Sequence, residues 1–185
     1  MKRIVILLMC LVLSLSAFAA CANDGKADTT TTEPPATTTQ PETTAPETTA
    51  PSGEITADSI FQAIKDAIGE GNLTMGQAYD DTLLENFYSG LKKDDFIEIA
   101  GTMPMMNVTA EEFFIVKVSG ENRQKTLDAI DKHLADLDAT WSQYLPNVYK
   151  YVKDARIIEK DDYVILIVSE NADTAASAVD ELFGE

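Results

Sequence analysis

The sequence contains little of the material from which most catalytic and metal sites are built. Its 185 residues include two cysteines and one histidine, which leaves little for thiol, zinc or haem chemistry. Basic residues are scarce too, because 14 Lys and Arg stand against 31 Asp and Glu, for a formal charge of -17. A nucleic-acid binder needs a basic surface that displaces counterions from phosphates, and electrostatic docking on anionic lipid needs the same charge. The composition argues against both, and we expect no cofactor.

What the sequence does contain begins with the three-part layout of a secretory signal peptide. A basic pair, Lys2 and Arg3, precedes an uncharged run of 15 residues at 4–18, and small alanines follow that run. The run is short for a membrane-spanning helix, which needs about 20 apolar residues. We therefore predict that residues 1–20 are removed, with a retained N-terminal anchor as the alternative.

The end of this segment predicts a lipid attachment site. The stretch Phe18-Ala19-Ala20-Cys21 resembles the lipobox of bacterial lipoproteins. That resemblance implies that Cys21 takes a diacylglyceryl group and becomes the mature N-terminus. Two acyl chains, at about 0.8 kcal/mol per buried CH2, anchor a protein stably. We therefore predict a membrane-anchored protein on the extracytoplasmic face. Ordinary signal cleavage, which would release a secreted protein, is the alternative.

Residues 21–52 are predicted to be a tether that follows the lipidated cysteine. Eleven threonines and five of the seven prolines lie between residues 29 and 52. Such a segment cannot bury enough apolar surface to offset its ordering entropy, so its composition predicts disorder with polyproline II character. A spacer that lifts a domain off the membrane fits this composition, and Thr/Pro-rich stalks are also typical carriers of O-linked sugar.

Residues 53–185 are predicted to form one folded α+β domain. Apolar residues at helical spacing predict helices, and β-branched or aromatic runs predict strands. The predicted helices begin after an N-cap at Thr56, span residues 80–88, run from 127 to 152 with a break at Pro146, and follow a cap at Asn171 or Asp173. The predicted strands are residues 113–118 and a hairpin of 155–159 with 163–168, while 96–100 is ambiguous. Strands grouped between helices indicate a small, largely antiparallel sheet with helices packed on one face.

Several segments of this region resemble a known family. The stretch from Met103 to Val108, the strand Phe114-Ile115-Val116-Lys117-Val118 and the turn Tyr144-Leu145-Pro146 resemble short lipoproteins of Gram-positive Firmicutes, catalogued as a domain of unknown function. The resemblance covers roughly residues 61–168. It implies a lipoprotein signal, a polar tether and these domain limits, but no activity or catalytic residue.

Two clusters of side chains form a candidate binding surface. Methionines, which adapt to irregular ligands, flank Pro104 in the chain, and aromatic residues that can stack on a sugar or a peptide surround Pro146. The candidate residues are Met103, Met105, Met106, Tyr144, Tyr149 and Tyr151. Packing in or near the core is the alternative for both clusters.

The titratable residues give weaker signals. His133 lies beside Leu134 on the long helix, and we interpret it as a surface or boundary residue, since no nucleophile motif accompanies it. Carboxylate pairs such as Glu111-Glu112 and Asp128 with Asp131 are interpreted as solvated surface. Weak calcium binding, and a carboxylate pair that hydrolyses glycosidic bonds, are the alternatives. No metal or phosphate motif is visible.

The sequence therefore predicts a non-enzymatic binding or interaction module held outside the membrane. Its partner would be an envelope protein, a wall component or a small solute. A calcium-responsive or solute-binding envelope protein is the first alternative, and a carboxylate-dependent envelope hydrolase is the second.

Overall fold

The computed structural model describes residues 53–184. The predicted signal peptide, the lipidation site Cys21 and most of the tether fall outside that range. The helices are α1 (Ala57–Ile68), α2 (Asp81–Phe87), α3 (Gly120–Trp141), α4 (Pro146–Lys153) and α5 (Ala172–Leu182). The strands are β1 (Gly76–Gln77), β2 (Glu98–Pro104), β3 (Glu112–Lys117), β4 (Arg156–Lys160) and β5 (Tyr163–Val168).

The strands form one antiparallel sheet in the order β1-β2-β3-β5-β4. The central pair places Phe113 opposite Ile167 and Phe114 opposite Leu166. The predicted α+β class and antiparallel sheet are therefore confirmed. Among residues 53–184, no helix is long and apolar enough to span a membrane.

Helices cover both faces of the sheet, so the prediction of helices on one face was wrong. On one face Phe113 and Ile115 pack with residues of α1 and α5, such as Ile60 and Val179. On the other face Phe114 lies in a second cluster with residues of α2, α3 and α4. The reason is visible in β3 and β5, whose central residues are apolar at successive positions and not at alternate ones. Such a strand needs cover on both sides.

Local signals set several helix ends, and the cap at Thr56 and the break at Pro146 are as predicted, whereas α3 begins at Gly120 and not at residue 127. Thr56 caps α1, because its hydroxyl accepts a hydrogen bond from Ser59 N at 3.1 Å and the Ser59 hydroxyl accepts one from Thr56 N at 2.8 Å. This reciprocal arrangement is a capping box. Gly69 ends α1 with a φ of 83°, a conformation that glycine adopts without steric cost. Pro146 begins α4, where its missing N–H costs nothing.

The ambiguous segment at residues 96–100 becomes part of a strand. β2 begins at Glu98 and continues to Pro104, so that Ile99 pairs with Val116 and Ala100 with Ile115. The strand conformation follows from pairing with β3, which the local sequence does not reveal. The two-residue β1 was missed because its Gly-Gln sequence carries no strand signal.

Candidate functional site

A cavity of about 460 Å³ lies between α2, the end of β2, the loop that follows β2, and α3. Its walls are mostly apolar and come from elements far apart in the sequence. The apolar wall consists of Phe87, Met103, Met106, Leu137, Trp141 and Tyr144. Two titratable side chains also line it, Glu112 at the start of β3 and His133 in the middle of α3. They are 1% and 3% exposed respectively, so the cavity has a buried polar end.

Glu112 is the centre of a buried hydrogen-bond network. Its Oε1 accepts from the Tyr79 hydroxyl at 2.7 Å and from the Tyr88 hydroxyl at 2.5 Å. Its Oε2 lies 2.7 Å from His133 Nε2. Three donors therefore surround one carboxylate, which is how a protein holds a charge in its interior.

Aromatic packing fixes the members of this network. The Tyr88 ring stacks on Phe114 with centroids 4.3 Å apart, and lies 4.6 Å from the His133 ring on a tilted plane. Tyr79 meets both Tyr88 and Phe114 edge-on. The imidazole is thereby held by Glu112 along one edge and by Tyr88 across its face.

Both tyrosines act as neutral donors. Burial raises the pKa of Tyr79 and of Tyr88 well above the usual value of 10.0, and the nearby Glu112 carboxylate raises both further. A buried phenolate beside a carboxylate is unfavourable on both counts. The tyrosines therefore keep their protons at neutral pH and stabilise the Glu112 carboxylate.

One polar atom of this network remains for a ligand. His133 uses Nε2 for Glu112, and no hydrogen bond of its Nδ1 is found within residues 53–184. The cavity is lined by this same side chain. The network therefore places the His133 imidazole at the polar end of a mostly apolar cavity.

The structure brings three of the six candidate surface residues to the cavity. Met103 is buried in its wall, whereas Met106 and Tyr144 are 55% and 61% exposed and lie where the cavity meets solvent. Met105 is exposed and does not line it. Core packing, the alternative interpretation, therefore applies to Met103.

The other two tyrosines lie elsewhere. The Tyr149 hydroxyl donates to Asp138 Oδ1 at 2.8 Å and ties α4 to α3. Tyr151 lines a separate cleft of about 210 Å³ with Glu170. The six residues do not form one continuous cavity wall.

The interpretation of His133 and of Glu111-Glu112 as surface residues was wrong. All three are buried. Glu111 accepts from the Ser169 hydroxyl at 2.8 Å and from Thr74 N at 2.5 Å, so it joins the loop before β1 to the end of β5. A signal for His133 existed, since it follows the buried Ile130 by three residues on α3. Glu112 gave none, because its three partners are distant in the sequence.

Metal binding has no evident site in this part of the chain. From residue 53 to residue 184, no group of three or more His, Cys, Asp or Glu side chains is placed to hold a metal ion together. Glu112 and His133 are held by each other and by two tyrosines.

Comparison with protein families places most of this region in one of them. Residues 70–169 match the model of a domain of unknown function (DUF4358). The matched segment includes every residue of the cavity wall, from Phe87 to Tyr144. Neither the curated proteins nor the solved structures contain a significant match.

Proposed function

We propose a binding function for this chain, which belongs to the DUF4358 family, a domain of unknown function. The chain would be a non-enzymatic module of the bacterial cell surface, held outside a Gram-positive membrane by a lipid on Cys21. Its ligand would occupy the cavity between α2 and α3. That ligand would be a small solute, or a group presented by a wall component or an envelope protein.

The observation that carries this proposal is an apolar cavity with a polar end. Its volume of about 460 Å³ falls within the roughly 300–1,000 Å³ typical of small-molecule sites, which are mostly apolar with a few placed polar groups. Here the apolar part includes Trp141 and Tyr144, and the polar part is the His133 edge. Exposed Phe87, at 45%, extends the apolar surface to the opening.

The hydrogen bonds of the polar side chains favour binding over catalysis. Both oxygens of Glu112 already accept hydrogen bonds from the protein, so this carboxylate positions His133 and is not turned toward a substrate. Two threonines line the cavity, and both hydroxyls are engaged. Thr140 donates to the Asp136 carbonyl at 2.8 Å, and Thr109 accepts from Glu111 N at 3.0 Å. Neither has a general base as its partner, as an activated nucleophile would.

The cavity contains its own reporter, which permits a direct binding test. Trp141 is the only tryptophan of the chain, it lines the cavity and it is 5% exposed. We would titrate the purified full chain with sugars, peptides, amino acids, amines and calcium, and follow both tryptophan emission and thermal unfolding. A ligand at 100 times its dissociation constant adds about 2.7 kcal/mol to the stability of the native state. We expect at least one class to change both signals.

A matched pair of variants connects the signal to the cavity. Met106→Ala removes a side chain from the cavity wall, whereas Met75→Ala removes one that is 72% exposed and outside it. Binding should weaken in the first variant and stay unchanged in the second. Equal effects in both variants, or no response to any ligand class, would contradict the proposed function.

The proposed location needs a separate experiment. Cells expressing the full chain would be fed an alkyne fatty acid, and the protein would be followed by click labelling and membrane fractionation. The native chain should carry label and sediment with the membrane, and Cys21→Ser should lose both properties. Label that persists in Cys21→Ser, or a native chain found only in the medium, would contradict the proposed lipid anchor at Cys21.

A further inference from the structure

The charge of the cavity wall discriminates between ligand classes. Among the described residues that line the cavity, none is a lysine or an arginine, and Glu112 is the one acidic residue. Lys132 precedes the cavity residue His133 in the sequence. Its ammonium group forms an ion pair with Asp136 at 2.8 Å, and both side chains are largely exposed. An anionic ligand would therefore find no permanent positive charge in the wall.

The aromatic residues of the wall favour a positive charge. Phe87, Trp141 and Tyr144 all line the cavity, and the Trp141 and Tyr144 ring centroids are 5.7 Å apart with planes inclined by 46°. The face of an aromatic ring attracts a cation through its quadrupole, and the attraction grows when the cation is desolvated. Of these rings, Phe87 lies against the polar end, with its centroid 6.3 Å from that of His133. An ammonium group held at that end would gain this attraction from Phe87, whereas a carboxylate would be repelled.

The polar end of the cavity favours a hydrogen-bond donor. Glu112 accepts from His133 Nε2, so a neutral imidazole carries its proton on that nitrogen. In that tautomer Nδ1 has the free lone pair, and the ring that bears it lines the cavity. Ammonium groups have N–H donors and no acceptor, which makes them complementary to this lone pair.

The net negative charge of the whole folded region also favours a cationic ligand. Residues 53–185 include 26 acidic and 11 basic side chains. An excess of one sign of charge raises the local concentration of ligands of the opposite sign and speeds their association. Cations would therefore be attracted before they reach the cavity.

From these four observations we propose that the cavity selects an organic ammonium ion with an apolar body. The ammonium group would donate to His133 Nδ1 at the buried end, and the apolar body would pack on Met103, Met106 and the aromatic wall. This inference rests on the proposed binding function and specifies its ligand class.

Three probes of equal chain length and different charge test this proposal. Hexylamine at pH 7 is a cation, 1-hexanol is neutral and sodium hexanoate is an anion. Each would be titrated into the full chain at constant ionic strength while Trp141 emission is recorded. We expect hexylammonium to bind about tenfold more tightly than 1-hexanol, since a cation–π contact is added and the hydrogen bond to His133 becomes charge-assisted. Hexanoate should bind most weakly.

Two variants separate the polar and the aromatic contributions. His133→Gln keeps an N–H near the position of Nε2 for Glu112 and removes the ring nitrogen at the cavity. It should lower the affinity for hexylammonium by a larger factor than the affinity for 1-hexanol, and bring the two close together. Phe87→Leu, at a position that is 45% exposed, should weaken hexylammonium more than 1-hexanol even if His133→Gln does not fold. Ile97→Ala, exposed and outside the cavity, is the control.

The possible outcomes distinguish this inference from the proposed function. Equal affinity for all three probes would show a purely apolar cavity, and tighter binding of hexanoate would show that His133 acts as a cationic donor. Either result overturns the ammonium proposal while the binding function stands. If no probe binds and the broader ligand panel is also silent, both fail.

Discussion

At the scale of single residues, a buried carboxylate determines the arrangement of the side chains around it. Glu112 is 1% exposed, and a charge in that position is tolerated only if hydrogen-bond donors replace the lost water. Tyr79, Tyr88 and His133 supply them. The donors come from the segment before α2, from its C-terminal end and from α3, so one side chain ties three parts of the fold to β3.

The first prediction concerns the charge of this carboxylate. Glu112→Gln keeps the shape but places an amide N–H2 opposite a hydroxyl or imidazole donor. We expect a loss of about 1–3 kcal/mol in the free energy of unfolding, since at least one buried donor loses its acceptor. Urea unfolding measures it, with Glu121→Gln on the exposed side of α3 as the control. An equal midpoint for both variants would contradict this role of Glu112.

A second prediction follows from the raised pKa of Tyr79 and Tyr88. In the unfolded chain tyrosine ionises near pH 10, while these two remain protonated in the native state. The unfolded state then binds fewer protons, so their contribution to stability is complete below about pH 10 and declines above it. Each tyrosine adds at most about 1.4 kcal/mol per pH unit to that decline. The double variant Tyr79→Phe/Tyr88→Phe should be less stable at pH 8 but lose stability less steeply between about pH 10 and 11.

Urea unfolding across this pH range gives the slopes directly. Tyr144→Phe, which removes an exposed hydroxyl, serves as the control and should retain the steep decline of the native chain. Parallel slopes for the native chain and the double variant would show that the two phenols do not resist ionisation.

At the scale of elements, the contact between β2 and β3 depends on a glycine. Gly101 lies within β2 with a φ of 105°, outside the range of ordinary side chains. A Cβ at this position would overlap the carbonyl oxygen of Phe113 on the neighbouring strand. The close approach brings β2 against β3, and thereby sets Met103 beside the cavity that Glu112 lines.

The third prediction tests the close contact between Gly101 and the Phe113 carbonyl. Gly101→Ala should reduce the free energy of unfolding by more than about 1–3 kcal/mol, because the backbone conformation alone costs that much and the overlap with Phe113 adds to it. Gly71→Ala is the matched control, since a Cβ there meets no atom within 4 Å. Thermal unfolding of both variants provides the comparison, and a stable Gly101→Ala protein would show that β2 can shift without penalty.

At the scale of the whole molecule, composition divides the chain more sharply than any motif does. Five of the seven prolines and eleven threonines lie in residues 29–52, whereas residues 53–184 contain two prolines, Pro104 and Pro146. A segment whose apolar residues are a few alanines and prolines cannot form a core. The cavity accordingly lies within residues 53–184, the part of the chain whose composition can form a core.

The fourth prediction concerns this division. Endoproteinase Glu-C cuts after glutamate, and Glu33, Glu42 and Glu47 lie in the predicted tether. Brief digestion of the full chain should cut there first and leave a resistant product that begins near Gly53, because proteolysis favours unstructured segments. Mass spectrometry of the products identifies the cuts. First cuts within α1 to α5 would contradict the predicted boundary, and digestion in urea controls for intrinsic cleavage preference.

Most elements of this protein, β1 and β2 excepted, could be predicted from its sequence because their signals are local. Thr56 caps α1 as predicted, and Asp80, which the prediction counted as the first residue of a helix, caps α2. Pro146 begins α4 and separates it from α3. The β4–β5 hairpin forms around Asp161, which has a positive φ of 49°. These features involve residues within a few positions of one another, so a single sequence contains them.

The cavity and its buried network were decided by the tertiary structure alone. Glu112 lies 33 residues from Tyr79, 24 from Tyr88 and 21 from His133, and nothing in any of those segments indicates the others. They meet because β3 lies in the centre of the sheet, with helices on both faces. A glutamate and a histidine that are charged or polar in the sequence thus become interior residues, since the fold supplies the hydrogen-bond partners that water would otherwise provide.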